Sequence, residues 1–187
     1  MKGGIKSLML AILVAVVPVY GGAAKEPDAE YKIKAALIYK LALFVEWPER
    51  VFQQPDRPLE ICLLGDNPFG SALSVLERRK VRGRPIAVKY YAVSRESVSG
   101  GCHLLFVNEA RDSSLRELLG SLDGHSILTI SDMDGFAETG GMIEMASKDG
   151  RVGFRININS LKRGGLKIAA ELLNLSTVIQ APDSGAD

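Results

Sequence analysis

Between Leu59 and Asp132 the sequence alternates short apolar runs with polar, helix-patterned stretches, and few architectures satisfy that alternation. "LEICLLG", "PIAVKYYAV", "CHLLFVN" and "SILTISD" have the length and side-chain type of strands. "NPFGSALSVLERRK" follows the first run, with Asn67 placed to cap and Pro68 to open a helix. "SSLRELLGSL" follows the third as a second helix. Strands separated by helices predict a mainly parallel sheet with helices on both faces. The expected fold is therefore α/β, a single-domain three-layer sandwich, flavodoxin-like or half-Rossmann in outline. The second strand alternates enough to lie nearer an edge, and the first and third are neighbours if the order of the first three runs 2-1-3.

The flanks extend this plan. "DAEYKIKAALIYKLALFVEWPE" predicts one helix, capped by Asp28 and ended by Pro48, with Tyr31, Ala35, Ile38, Ala42 and Val45 at helical spacing. Leu37, Leu41 and Phe44 widen its apolar surface, so the helix either packs deeply or shares a face with a partner. After Gly141, "GMIEMAS" and "VGFRINI" predict a C-terminal β-hairpin turning at Asp149-Gly150. "NSLKRGGLKIAAELLNLSTVI" then reads as a helix interrupted near Gly164-Gly165 and running to about Leu175.

The amino terminus sets the compartment. Lys2 and Lys6 precede an apolar run from Leu8 to Val17, Pro18 breaks it, and Gly22-Ala23-Ala24 offers small residues for cleavage. That run is too short to span a bilayer, which needs roughly 20 apolar residues. Residues 1–24 are expected to be an export signal cleaved near Ala24, residues 25–180 one α/β domain, and residues 181–187 a flexible tail. Loss of the signal moves the balance from 23 basic against 22 acidic residues to 21 against 22. A near-neutral chain has no basic excess for nucleic acid or anionic lipid. A bacterial periplasm is the expected destination. In that oxidising space the two cysteines, Cys62 and Cys102, form either a disulfide or two separate buried thiols.

Candidate chemistry is sparse. The first strand is followed by "LLGDNPFG" instead of a dinucleotide fingerprint, and Asp66 would repel a phosphate there. No G-x-S-x-G elbow or Walker lysine pattern occurs, and Cys102 and His103 are adjacent on a strand, so they point to opposite faces. No catalytic residues, metal site or cofactor site are expected. "ISDMDGFAETGG", residues 130–141, packs Asp132, Asp134 and Glu138 around Phe136, but is too short for a calcium-binding EF-hand loop. Its glycines suit backbone turns, Gly135 at positive φ and Gly140-Gly141 into the hairpin. Two roles remain for Phe136: an apolar anchor in a polar, partner-binding rim, or a side chain folded into the core. In the anchor reading the surface comprises Asp132, Asp134, Phe136 and Glu138 with Arg155 and Asn157 of the adjoining "RININ".

Seven segments in order carry a resemblance: "KAALIYKLALFVEWPE", "ICLLGDNPFG", "RGRPIAVKYY", "CHLLFVNE", "ILTISDMDGFAETGGMIEM", "GRVGFRINI" and "GLKIAAELLNL". Together they resemble the YfiR/HmsC-like family of small exported bacterial proteins, over roughly Tyr31 to Val178. The resemblance implies a regulator without catalysis that represses an inner-membrane diguanylate cyclase. Its implied partner is that cyclase's periplasmic sensor region, and the output lowered is cyclic di-GMP, exopolysaccharide and biofilm. It leaves room for a homodimer. Cys62 and Cys102 match a family cysteine pair able to form a disulfide, whereas a second family pair around the hairpin has no counterpart in "GGMIEMASKDGRVGF". A function of another class is a periplasmic module binding a small apolar or aromatic solute.

Overall fold

The computed structural model describes residues 28–52, 54, 56–91, 101–108, 112–148 and 150–180. The expected signal peptide and flexible tail lie outside the described residues.

Helix α1 (Ala29–Phe44) starts where Asp28 accepts a hydrogen bond from the Glu30 amide at 3.4 Å. It stops earlier than Pro48 predicts. Val45–Glu46 (β1) leaves the helix to pair antiparallel with Lys167–Ile168 (β9), and the Ala169 amide donates to the Phe44 carbonyl. The helix ends because distant backbone takes over its carbonyls.

The main sheet contains β2 (Leu59–Leu64), β3 (Lys80–Val81), β4 (Arg84–Tyr91), β5 (Leu104–Val107), β6 (Leu128–Ser131), β7 (Ile143–Lys148), β8 (Arg151–Asn157) and β10 (Thr177–Ile179). Their spatial order is β10-β8-β7-β6-β5-β2-β4-β3. From β4 to β7 every pairing is parallel, while β7 and β8 run antiparallel with Lys148 opposite Arg151. The first three expected strands thus lie in the order second, first, third, and the second has only the two-residue β3 outside it.

Period-2 alternation divides the core between two faces. Ile61, Leu63, Leu104, Phe106, Leu128 and Ile130 join Ile38, Leu41 and Ala42 of α1 on one face. Cys62, Leu64, Leu105 and Val107 join Leu115, Leu118 and Leu119 of α2 (Asp112–Ser121) on the other. Helix, sheet and helix make three layers.

Two expected helices change form. After β2, Asn67 makes a turn, accepting from the Phe69 amide and donating to the Gly70 carbonyl, and only a short 3-10 turn follows at Ser74–Arg78. Gly70 has a φ of +52°, outside the helical region, and the fully buried Phe69 ring sits edge-on to Phe106 and Tyr31. Burying that ring outweighs a regular helix. At the C-terminus, α3 (Ile158–Arg163) ends at Gly164-Gly165, and the chain forms β9, α4 (Ala170–Asn174) and then β10 beside β8. Gly165, at φ +67°, directs Leu166 into the core, which a continuous helix would not allow.

His103 precedes β5 in the core with 2% exposure. Its Nδ1 accepts from the Glu60 amide at 3.0 Å, and its ring stacks on Phe52 at 4.6 Å. Burial pushes this imidazole below its ordinary range; the charge of Arg57 adds to that and Arg84 acts the same way, against the opposing pull of Glu60 and a Val51 backbone hydrogen bond. The unfolded chain therefore takes up a proton near pH ~6.5 that the folded chain resists, and stability is lost as pH falls through that value. The melting temperature is expected to be lower at pH 5.5 than at pH 7.5, and His103→Gln should flatten the difference. An unchanged slope in the variant would place its origin elsewhere.

Candidate partner-binding surface

The loop after β6 is fixed from its first residue. Ser131 Oγ donates to the Val107 carbonyl at 2.7 Å and accepts from the Met133 amide at 3.1 Å. Asp132 turns toward α1, accepting from Lys34 Nζ at 2.6 Å and from the Tyr31 hydroxyl at 3.0 Å. Lys34, 4% exposed, also pairs with Glu30 at 2.7 Å, and Glu30 accepts from Ser147 at 2.7 Å. Burial would lower the Lys34 ammonium's pKa, but its hydrogen bonds to Asp132 and Glu30, with the charge of Asp132, outweigh it and hold it above its ordinary range. Burial, with Asp132 beside it, raises the Tyr31 phenol. The cluster ties α1 to the loop. A lysine on the otherwise apolar face between Tyr31, Ala35 and Ile38 was its signal in the sequence, because such a charge needs a buried partner.

The middle of the loop runs the other way through the fold. Gly135 sits at φ +78°, as its turn requires, and Phe136 enters the α2-side cluster with 0% exposure. Its ring lies over Gly141, where a Cβ would come within 2.1 Å of the ring. Phe136 is therefore core, and the surface-anchor role expected for it is corrected: folding against Gly141 removes the ring from water.

The remaining expected residues divide by burial. Glu144, 1% exposed, accepts from the Ala137 amide at 3.1 Å and pairs with Arg155 at 3.4 Å. Arg155 also bridges to Glu138. Asn157, 0% exposed, donates to the Ala137 carbonyl at 2.9 Å and caps α3 through the Asn159 and Ser160 amides. Its expected contact role is likewise corrected, since both ends of its amide are engaged inside the protein. Asp132 is mostly covered by its α1 partners. Asp134 and Glu138 are exposed and Arg155 is half-buried. The loop thus presents a small acidic surface on a backbone held by buried bonds.

At the sheet's opposite end, Cys62 and Cys102 form a disulfide, with Cα atoms 5.8 Å apart. The β2–β5 ladder begins at Ile61 opposite Leu104, so Cys102 precedes its partner strand. A bridge between parallel neighbours is accommodated because one cysteine lies off the ladder.

A model of the YfiR/HmsC-like family matches residues 31–177. The chain belongs to the YfiR/HmsC-like family. YfiR/HmsC-like proteins are periplasmic, non-catalytic regulators of diguanylate cyclase. The disulfide fits that oxidising compartment. Among the described residues, no helix is long and apolar enough to cross a membrane, and no group of three or more His, Cys, Asp or Glu could hold a metal ion.

Proposed function

We propose that this YfiR/HmsC-like chain binds the periplasmic sensor region of an inner-membrane diguanylate cyclase and represses it, lowering cyclic di-GMP and with it exopolysaccharide and biofilm formation. The observation that carries the reading is the family match across residues 31–177. Repression needs no chemistry. A protein that binds the inactive cyclase more tightly than the active one shifts the population toward the inactive form, tenfold for each ~1.4 kcal/mol of differential affinity. Asp134 and Glu138, carried on a loop fixed by Glu144 and Asn157, form the surface we assign to that contact.

The test is capture of the cyclase from membranes of the native bacterium by the exported protein. The wild-type chain should retain the cyclase, while Asp134→Lys with Glu138→Lys should retain at least tenfold less, with the melting temperature lowered only by the loss of the exposed Glu138–Arg155 pair. Retention of no diguanylate cyclase by the wild-type chain would overturn the function. Equal retention by the folded double variant would overturn only the surface.

A further inference from the structure

We propose, resting on the regulator reading for the contact itself, that Lys34 is a positioning residue for the partner-binding loop: its buried ion pair with Asp132 sets where Asp134 stands. The loop is pinned on both sides of that residue. Ser131 holds its start through the Val107 carbonyl and the Met133 amide. From Phe136 onward the buried ring, the Ala137 bonds to Glu144 and Asn157 and the Arg155 bridge hold the rest, Glu138 included. Between these anchors the Phe136 amide closes a turn on the Met133 carbonyl at 3.2 Å, with Asp134 inside it. The direction in which that turn leaves β6 depends on Asp132. Among the described residues, its side-chain partners are Lys34 and Tyr31, both on α1 and both bonded to the same oxygen, Oδ2.

The Lys34 ammonium sits on a rigid frame. It donates to Asp132 at 2.6 Å and to Glu30 at 2.7 Å, and lies 4.5 Å from the centroid of the Tyr31 ring. Tyr31 is itself held edge-on to the buried Phe69 at 5.2 Å, and Glu30 is tied to Ser147 of β7. Helix, core and sheet therefore fix the point to which Asp132 is drawn. The pair is shielded from water, with side-chain exposures of 5% for Lys34 and 10% for Asp132. Deleting one partner of such a pair leaves the other charge buried without compensation. A carboxylate in that position turns toward water, and Asp132 would carry the Met133–Phe136 turn and Asp134 with it. Glu138, anchored separately through Arg155 and Ala137, would stay.

Amide NMR of the exported protein, paired with cyclase capture from membranes, tests the assignment. In Lys34→Met the amide resonances of residues 132–135 should move while those of Ala137 and Glu138 stay. Capture should fall about three- to tenfold, the cost of re-ordering the freed turn on binding. Adding Asp132→Asn removes the uncompensated charge and should return both readouts toward the wild type. A lysine that only stabilised the fold would not be rescued by losing its partner. Should Lys34→Met not fold, Tyr31→Phe deletes only the hydroxyl bonded to Asp132 and should shift the same amides with Lys34 in place. Unmoved 132–135 amides in a folded variant, shifts that spread equally through Ala137 and Glu138, or no rescue by Asp132→Asn would each overturn the positioning role. Moved amides with capture equal to the wild type would overturn its bearing on the contact. The amides are read on the free protein, so these failures are distinct from failure of the regulator reading, which shows as no cyclase retained by the wild-type chain.

Discussion

Replacing Phe136 with alanine is expected to destabilise the protein by about 3–5 kcal/mol, the usual loss for a fully buried phenylalanine. The ring has 0% exposure and belongs to the cluster formed by Leu64, Leu105, Val107, Leu118 and the disulfide. Truncation removes its burial and leaves a cavity that fixed surroundings cannot close. One wall is the Gly141 backbone, and the strands beside it are held by parallel ladders on both sides. A urea unfolding curve measures the effect, as a lower midpoint at an unchanged slope. Cyclase capture by the variant should fall only in proportion to the fraction unfolded. A stable Phe136→Ala chain that had lost its partner would instead restore the surface-anchor role.

Removing the disulfide is expected to cost about 4 kcal/mol on the chain-entropy model for a loop of this length. The separation between Cys62 and Cys102 is 40 residues, long enough that the bridge greatly restricts the unfolded chain. Both sulfurs lie in the α2-side cluster, with Cys62 at 0% and Cys102 at 6% exposure, so a double alanine replacement keeps the site apolar while removing the link. Unfolding of the oxidised wild-type chain against Cys62→Ala with Cys102→Ala gives the difference, and non-reducing mass spectrometry of periplasmic material tests the bond itself. Two free thiols in that material would refute it. Because the Cys102 side of the bridge precedes β5, loss of the bond should free Cys102 ahead of that strand while leaving the ladder from Ile61–Leu104 onward paired.

The candidate surface was half legible. Acidic residues on a loop leaving a parallel strand mark it, and Asp134 and Glu138 do face solvent. The same pattern left Phe136 either outward or in the core and placed Asn157 outward, but both are buried. An apolar residue among acids has the same composition whether it points out or in. What decides is whether a space of matching shape lies beneath the loop, and here Gly141 and the α2 cluster provide it. Glu144 lay in a segment read as an ordinary strand, and nothing local announces that its carboxylate receives the Ala137 amide.

Periodicity and capping set the parts of this protein that depend on residues close in sequence. The alternating two-faced strands, the Asp28 cap and the α2 stripe all follow from side chains within a few positions of one another. Tertiary structure alone decided the end of α1 at Phe44, the turn-rich segment after β2, the pairing of Val45–Glu46 with Lys167–Ile168 and the addition of β10 beside β8. Strands of two or three residues have almost no propensity signal of their own. Their stabilising hydrogen bonds come from backbone at the far end of the chain, which exists as a partner only after the core has brought it there.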